Sequence, residues 1–205
     1  MIPLIDLDFA RADTQGIFRR FHATAGQFAR QGADDVRAGS VGREEVIEKL
    51  AINAVMAGCL PEYLPVIIAA VEAICEPRFN LYGVQATTGY VGPALLLNGP
   101  IRTALNVNCD SGVFGPGFRA NATIGRAIRL ILITVGGGYP GDTDRSTFGW
   151  PGKYTMCFGE NQEKSPWEPY HVEMGFKADD NTVTVFGING FLPIHTAGNR
   201  GDQAL

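Results

Sequence analysis

The chain has 205 residues, 45% hydrophobic and 19% charged, a profile that supports a sizeable core and fits one domain with at most an extension. A net charge of −4 and a pI near 5.4 exclude the basic footprint of a nucleic-acid binder. No apolar run reaches the ~18–20 residues that span a bilayer, and the N-terminus lacks a basic stretch followed by an apolar one, so neither a membrane span nor a signal peptide is expected.

In chain order, Ile2, Leu4, Ile5, Leu7 and Phe9, interrupted by Asp6 and Asp8, read as a short edge strand. Phe18, Phe21, Ala25 and Phe28 keep helical spacing and predict an amphipathic helix that docks on the main domain or on another subunit. Residues 31–42 are polar and glycine-containing, a linker. Residues 1–42 are therefore an N-terminal extension, 43–188 the compact domain, and 189–205 a polar, glycine-rich tail. From Arg43 a helix carries the buried stripe Val46, Leu50, Ala54 and Ala57 and stops at Gly58. Pro61 opens a second helix through Ile74, with Pro65 predicting a kink or a delayed start. Residues 81–87 and 94–97 read as short strands around a glycine loop. Phe114 to Val135 is a glycine-rich loop feeding an apolar helix, in which Ile124, Ala127, Ile128, Ile131, Leu132 and Val135 share one face. Strands over residues 154–158 and 182–186 complete the order. Helix pair, strands, helix, strands define a single layered α/β or α+β domain.

Several groups are placed to do chemistry. A buried helix fixes its N-terminus, where free N–H groups and the dipole favour a negative group, and Arg119, Asn121 and Thr123 add polar side chains there. The plainer alternative has Asn121 capping the helix and the glycines making a turn. Cys59, in the corner between the first two helices, is a candidate nucleophile or a small buried hydrophobe. Cys109, beside Asp110, is a second candidate thiol. Cys75 and Cys157 read as structural. No pair of the four forms C-x-x-C, so reduced thiols in a cytoplasmic protein are expected. Glu160 and Asn161 follow a strand end, where side chains converge on clefts, and Glu160 is a candidate general acid or base. The Thr87 and Thr88 hydroxyls meet a substrate carboxylate or only bond their turn. Asp142, Asp144 and Arg145 read as an internal ion pair. Three histidines, His22, His171 and His195, lack zinc-ligand spacing, and no G-x-G-x-x-G or Walker sequence is present, so neither a metal nor a cofactor is expected.

Five blocks carry a resemblance: Ala51 to Cys59 with Pro61-Glu62-Tyr63, Gly83 to Thr88, Asn98 to Arg102, Gly115 to Arg126, and Pro151 to Thr155. The run Glu160-Asn161, Glu163, Ser165 to Trp167 and His171 to Glu173 extends it. Together, over roughly residues 43–186, they resemble the bacterial UGSC (seleno)protein family. Longer members carry a redox Cys/Sec-Gly-Ser-Cys segment that this chain lacks, so the resemblance implies that thiol or selenol chemistry needs a second chain. Relatives tend to have histidines where this chain reads Gly89-Tyr90 and Trp150. The resulting expectation is an enzyme or enzyme subunit acting on a small anionic organic substrate by carbon–heteroatom lysis or hydrolysis. Arg119, Asn121, Thr123, Thr87, Thr88 and Asn161 would bind it, with Glu160 and Cys59 catalytic. The alternative is a non-catalytic subunit or binding module in a homo- or hetero-oligomer.

Overall fold

A computed structural model describes residues 4–6 and 43–192. The expected helix over residues 18–28, the linker before Arg43, His22, His195 and the tail beyond Leu192 lie outside the described residues. Strand β1 is Leu4–Asp6. Helix α1 spans Arg43–Ala57 and ends as its sequence dictates. Gly58 adopts φ +88°, its N–H reaches Val55 O at 2.9 Å, and Cys59 N reaches Ala54 O at 2.9 Å, the paired bonds of a Schellman stop. The second helix starts late, as Pro65 predicts: Pro61–Tyr63 forms one 3₁₀ turn and α2 follows over Leu64–Cys75. Every residue of α2 from Val66 to Cys75 is buried. Apart from the buried Glu72 the helix is apolar all round, which suits a place inside a domain, and α2 lies between the sheet and α1.

The strand expected over residues 81–87 is a short helix, α3, Leu81–Gln85. The chain arrives from a 3₁₀ turn at Pro77–Phe79 and passes through Asn80 at φ 54°. Val84 N then bonds Asn80 O at 3.1 Å and Ala86 N bonds Tyr82 O at 2.8 Å. Alternating apolar residues over five positions do not separate a strand from one helical turn. Strand β2 follows at Gly92–Asn98, then a four-residue helix α4 at Ile101–Ala104 and the long helix α5 at Arg119–Thr134. Strand β3 is Cys157–Gly159, shorter than expected because Pro151–Lys153 forms a 3₁₀ turn that delays it. Helix α6 is Tyr170–Glu173 and β4 is Thr182–Ile188.

The mixed sheet has the order β1-β4-β2-β3. β4 runs antiparallel to both β1 and β2, while β2 and β3 are parallel. Strand β1 is thus an edge strand. The crossover between the parallel pair contains α5, making β2-α5-β3 a βαβ unit. Leu95, Leu97, Cys157, Val183 and Val185 face α2 and α5 on one side of the sheet and form the core with Ile67, Ile74, Ile124, Ile128 and Ile131. The predicted face of α5 is buried, with Val135 half-buried at its end. The other side of the sheet carries Asn98, Thr182 and Thr184, with Phe158 and Phe186 meeting edge to face at 6.4 Å between ring centroids. The result is a mixed α/β fold. Among the described residues, no helix is long and apolar enough to cross a membrane.

Candidate functional site

The expected site residues fall into three groups. At the α1–α2 corner stand Cys59, Arg119 and Thr123. Arg119 Nε donates to Gly58 O at 2.8 Å, the Cys59 thiol donates to Thr123 O at 3.3 Å, and Thr123 Oγ1 donates back to Arg119 O at 2.8 Å. These bonds stitch the corner to the first turn of α5. Burial raises the Cys59 pKa, outweighing the hydrogen bond to Thr123 and the Arg119 charge, so this thiol stays protonated. The helix N-terminus is not enclosed, since Phe114 to Gly117 are exposed.

Asn121 belongs elsewhere. Residue Phe118 occupies the N-cap position and no side chain caps the helix. Asn121 instead points into the preceding loop: its Oδ1 accepts Asn108 N at 2.8 Å and its Nδ2 donates to Asn108 O at 3.0 Å. A side-chain amide copying a strand's donor–acceptor pair holds residues 107–113 against α5.

That loop borders the second group, at the carboxyl ends of β2 and β3. Open α/β sheets bind ligands outside these strand ends, where helix and loop connections part. Asn98 ends β2 and Glu160 follows β3; the Asn98 amide donates to Glu160 Oε2, and Tyr170 N donates to the same carboxylate at 2.9 Å. Arg102, only 5% exposed, is the hub. Its Nε donates to Gly99 O at 3.1 Å and Nη1 to Glu160 O at 2.5 Å. Nη2 donates to Gln162 Oε1 at 2.6 Å and to Glu163 Oε1 at 2.8 Å. Cys109 Sγ is 3.6 Å from Arg102 Nη1, and a methyl on Gly159 would stand 3.1 Å from Cys109 Cβ. A side chain at this position would press on the thiol-bearing loop, so glycine suits its close packing on the end of β3. Lys164 pairs with Asp110 at the rim, and Asn161 Nδ2 reaches Asp110 Oδ1 at 3.5 Å. The Arg102 guanidinium holds the Glu163 carboxyl below its ordinary range, and Lys164 does the same for Asp110.

Three residues of the elements around Glu160 carry buried atoms without a partner: Asn98 Oδ1, His171 Nδ1 and Thr182 Oγ1. His171 is fully buried, and its Nε2 stands 3.4 Å from Ala178 O. A carbonyl only accepts, so Nε2 is the donor in this contact, while Nδ1 is buried without a partner. Thr182 is the direct cross-strand partner of Asn98. Orphaned buried polar atoms are rare in native proteins and mark places where a water or ligand belongs. Composition gave no sign of this convergence, because it requires knowing that β2 and β3 are parallel neighbours. The adjacency of Glu160 to a strand end was the only signal in the sequence.

The third group gathers around Thr87 and Thr88. Thr87 Oγ1 accepts Gly89 N at 3.0 Å, the local turn bond, and Thr88 O accepts Thr147 N at 3.0 Å. Asp144 forms the expected internal ion pair, but with Arg129 at 2.6 Å and Lys153 at 2.8 Å rather than with Arg145. Lys153 lies against Gly92, the first residue of β2, whereas Glu160 lies beyond its last. Six residue steps of strand separate them by about 20 Å, so Thr87 and Thr88 do not share a pocket with Glu160 and Asn161.

Among the described residues, no group of three or more His, Cys, Asp or Glu side chains is arranged to hold a metal ion. Fold and site together define a mixed α/β protein with polar clusters at both ends of its central strand. No family model matches the chain, and neither a curated protein nor a solved structure matches it.

Proposed function

We propose that this chain is an enzyme, or the chemistry-bearing subunit of one, that acts on a small polar organic substrate at the carboxyl ends of β2 and β3. The observation that carries this reading is the Glu160 carboxylate, held by the Asn98 amide and Tyr170 N–H, with orphaned polar atoms on Asn98 itself, on His171 next in sequence to Tyr170, and on Thr182 across the strand pair from Asn98. A carboxylate with fixed orientation beside unsatisfied polar atoms is suited to giving or taking a proton when a carbon–heteroatom bond breaks. Cys109, half-buried beside Arg102, takes the thiol role in place of Cys59. Reactive cysteines occupy partly exposed, electropositive surroundings, which describes the setting of Cys109 better than that of Cys59. Carbon–heteroatom lysis or hydrolysis in a cytoplasmic setting, and kinship with UGSC proteins over residues 43–186, belong to the same proposal.

The test is a turnover screen of the full chain against small carboxylates, esters and thioesters with O-, S- or N-linked leaving groups. Wild type releases a leaving group, and Glu160→Gln loses at least a hundredfold in kcat with its circular dichroism unchanged. Full turnover by Glu160→Gln would contradict the assignment. A second reading, a subunit that completes a partner's site, is favoured by one observation. Ile52, Val55 and Met56 on α1 are 50%, 75% and 64% exposed, an apolar stripe at helical spacing. Stoichiometric co-purification of another chain, with no turnover by this one alone, selects it.

A further inference from the structure

The cluster at the amino end of β2 holds more positive charge than it neutralises. Arg129 on α5 is 6% exposed and Asp144 is 5% exposed, and the Lys153 side chain is 10% exposed. Two cations therefore share one carboxylate. Asp144 Oδ2 accepts Arg129 Nη2 at 2.6 Å, while Oδ1 accepts Lys153 Nζ at 2.8 Å, Ser146 N at 3.2 Å and Ser146 Oγ at 2.9 Å. Lys153 Nζ also donates to Ser146 Oγ at 2.5 Å, which leaves the third ammonium hydrogen without a partner among the described residues. The other charged side chains on these loops, Asp142 and Arg145, are exposed, and Arg145 Nε donates to the backbone carbonyl of Asp142 at 2.7 Å. An excess buried charge is costly unless something pairs with it.

A second observation is independent of the charges. Gln85, at the end of α3, is 2% exposed, and its Oε1 accepts Arg129 Nη1 at 3.0 Å. A guanidinium only donates, so the oxygen must face it and the amide nitrogen must occupy the other arm. That nitrogen is buried and has no partner. Its two N–H groups, the free Lys153 N–H and the three Arg129 N–H groups not used on Gln85 or Asp144 leave an excess of donors along the bonded chain Gln85–Arg129–Asp144–Lys153. The complement of excess donors and excess positive charge is an anion.

We propose that this cluster is a binding site for a small oxyanion, a carboxylate or phosphate group, held by Arg129, Lys153 and Gln85 Nε2. It lies about 20 Å along β2 from Glu160, so it serves a different molecule, or a different part of a long one, from the group at the carboxyl end. Asp144 and Ser146 fix the two cations and are positioning residues.

The experiment is thermal unfolding and calorimetric titration of the full chain with sodium phosphate and, separately, sodium acetate, at ionic strength held constant with sodium chloride. Saturable binding of at least one anion with one-to-one stoichiometry is expected. The stronger of the two identifies the phosphate or the carboxylate as the fitting group. Lys153→Gln weakens binding at least tenfold. Because that variant removes a buried charge and can unfold, Gln85→Glu is the second arm. It turns the Nε2 donor into a carboxylate oxygen that repels an anion and offsets the excess positive charge, so it abolishes anion binding while its melting temperature stays at or above that of the anion-free wild type. Absence of saturable binding by either anion, or undiminished binding by Gln85→Glu, overturns the proposal.

Discussion

Asp144 lies buried between Arg129 and Lys153; burial pushes its carboxyl up, but the bonds from Lys153 and Ser146 prevail and hold it below its ordinary range. A pKa lowered on folding gives stability that is fully present above the unfolded value, near 3.9, and lost as pH falls through the folded value. The urea midpoint is therefore expected to stay level from about pH 7 to pH 5 and to fall below about pH 4. Asp144→Asn should flatten that fall and cost about 3–5 kcal/mol at pH 7, since two buried cations lose their partner. An unchanged acid limb, measured by urea unfolding at several pH values, would contradict this. Asp110 and Glu163 are also held low by their cations, but both are exposed and screening leaves them little weight. At this scale the sequence was partly legible: Asp144 reads as ion-paired from its neighbours in sequence. Its true partners, 15 and 9 residues away, depend on how α5 packs.

The elements depend on close approach as much as on apolar patterning. On α5, a methyl on Gly125 would stand 2.6 Å from Met156 N and 2.6 Å from Thr155 Oγ1. Helix propensity alone favours alanine there by up to about 1 kcal/mol. Overpacking against the backbone entering β3 costs about 1–3 kcal/mol, so Gly125→Ala should destabilise the chain. A denaturation midpoint at or above the wild-type value would show that α5 sits further from β3. In α2, Ile67→Ala removes a fully buried side chain and should cost about 2–5 kcal/mol. The helical face of α5, the Gly58 stop and the delayed start of α2 were all legible, because each rests on local periodicity or on the special backbone of glycine and proline. Helix α3 was not, because its sequence pattern also fits a strand and its first turn is set by Asn80 in the left-handed region.

Across the whole molecule, the topology decides which polar residues meet. Read in isolation, Glu160, Thr87, Thr88 and Arg119 are equally plausible walls of one pocket. The β2-α5-β3 crossover brings Arg102, Cys109 and Glu160 to one end of the strands and leaves Thr87 and Thr88 at the other. Arg119 stays at the α1–α2 corner with Cys59. Strand order is set by long-range pairing, which no local window contains. We propose that chemistry resides at the carboxyl end of the parallel pair. Site-resolved thiol alkylation tests it most directly: native protein is treated with iodoacetamide near pH 7 and each cysteine's labelling rate is followed by peptide mass spectrometry. Cys109 should label at least tenfold faster than Cys59, whose thiol is bonded to Thr123 O and raised in pKa by burial, with Cys75 and Cys157 slower still in the core. Faster labelling of Cys59 than of Cys109 would contradict the account and return the site to the corner between α1 and α2.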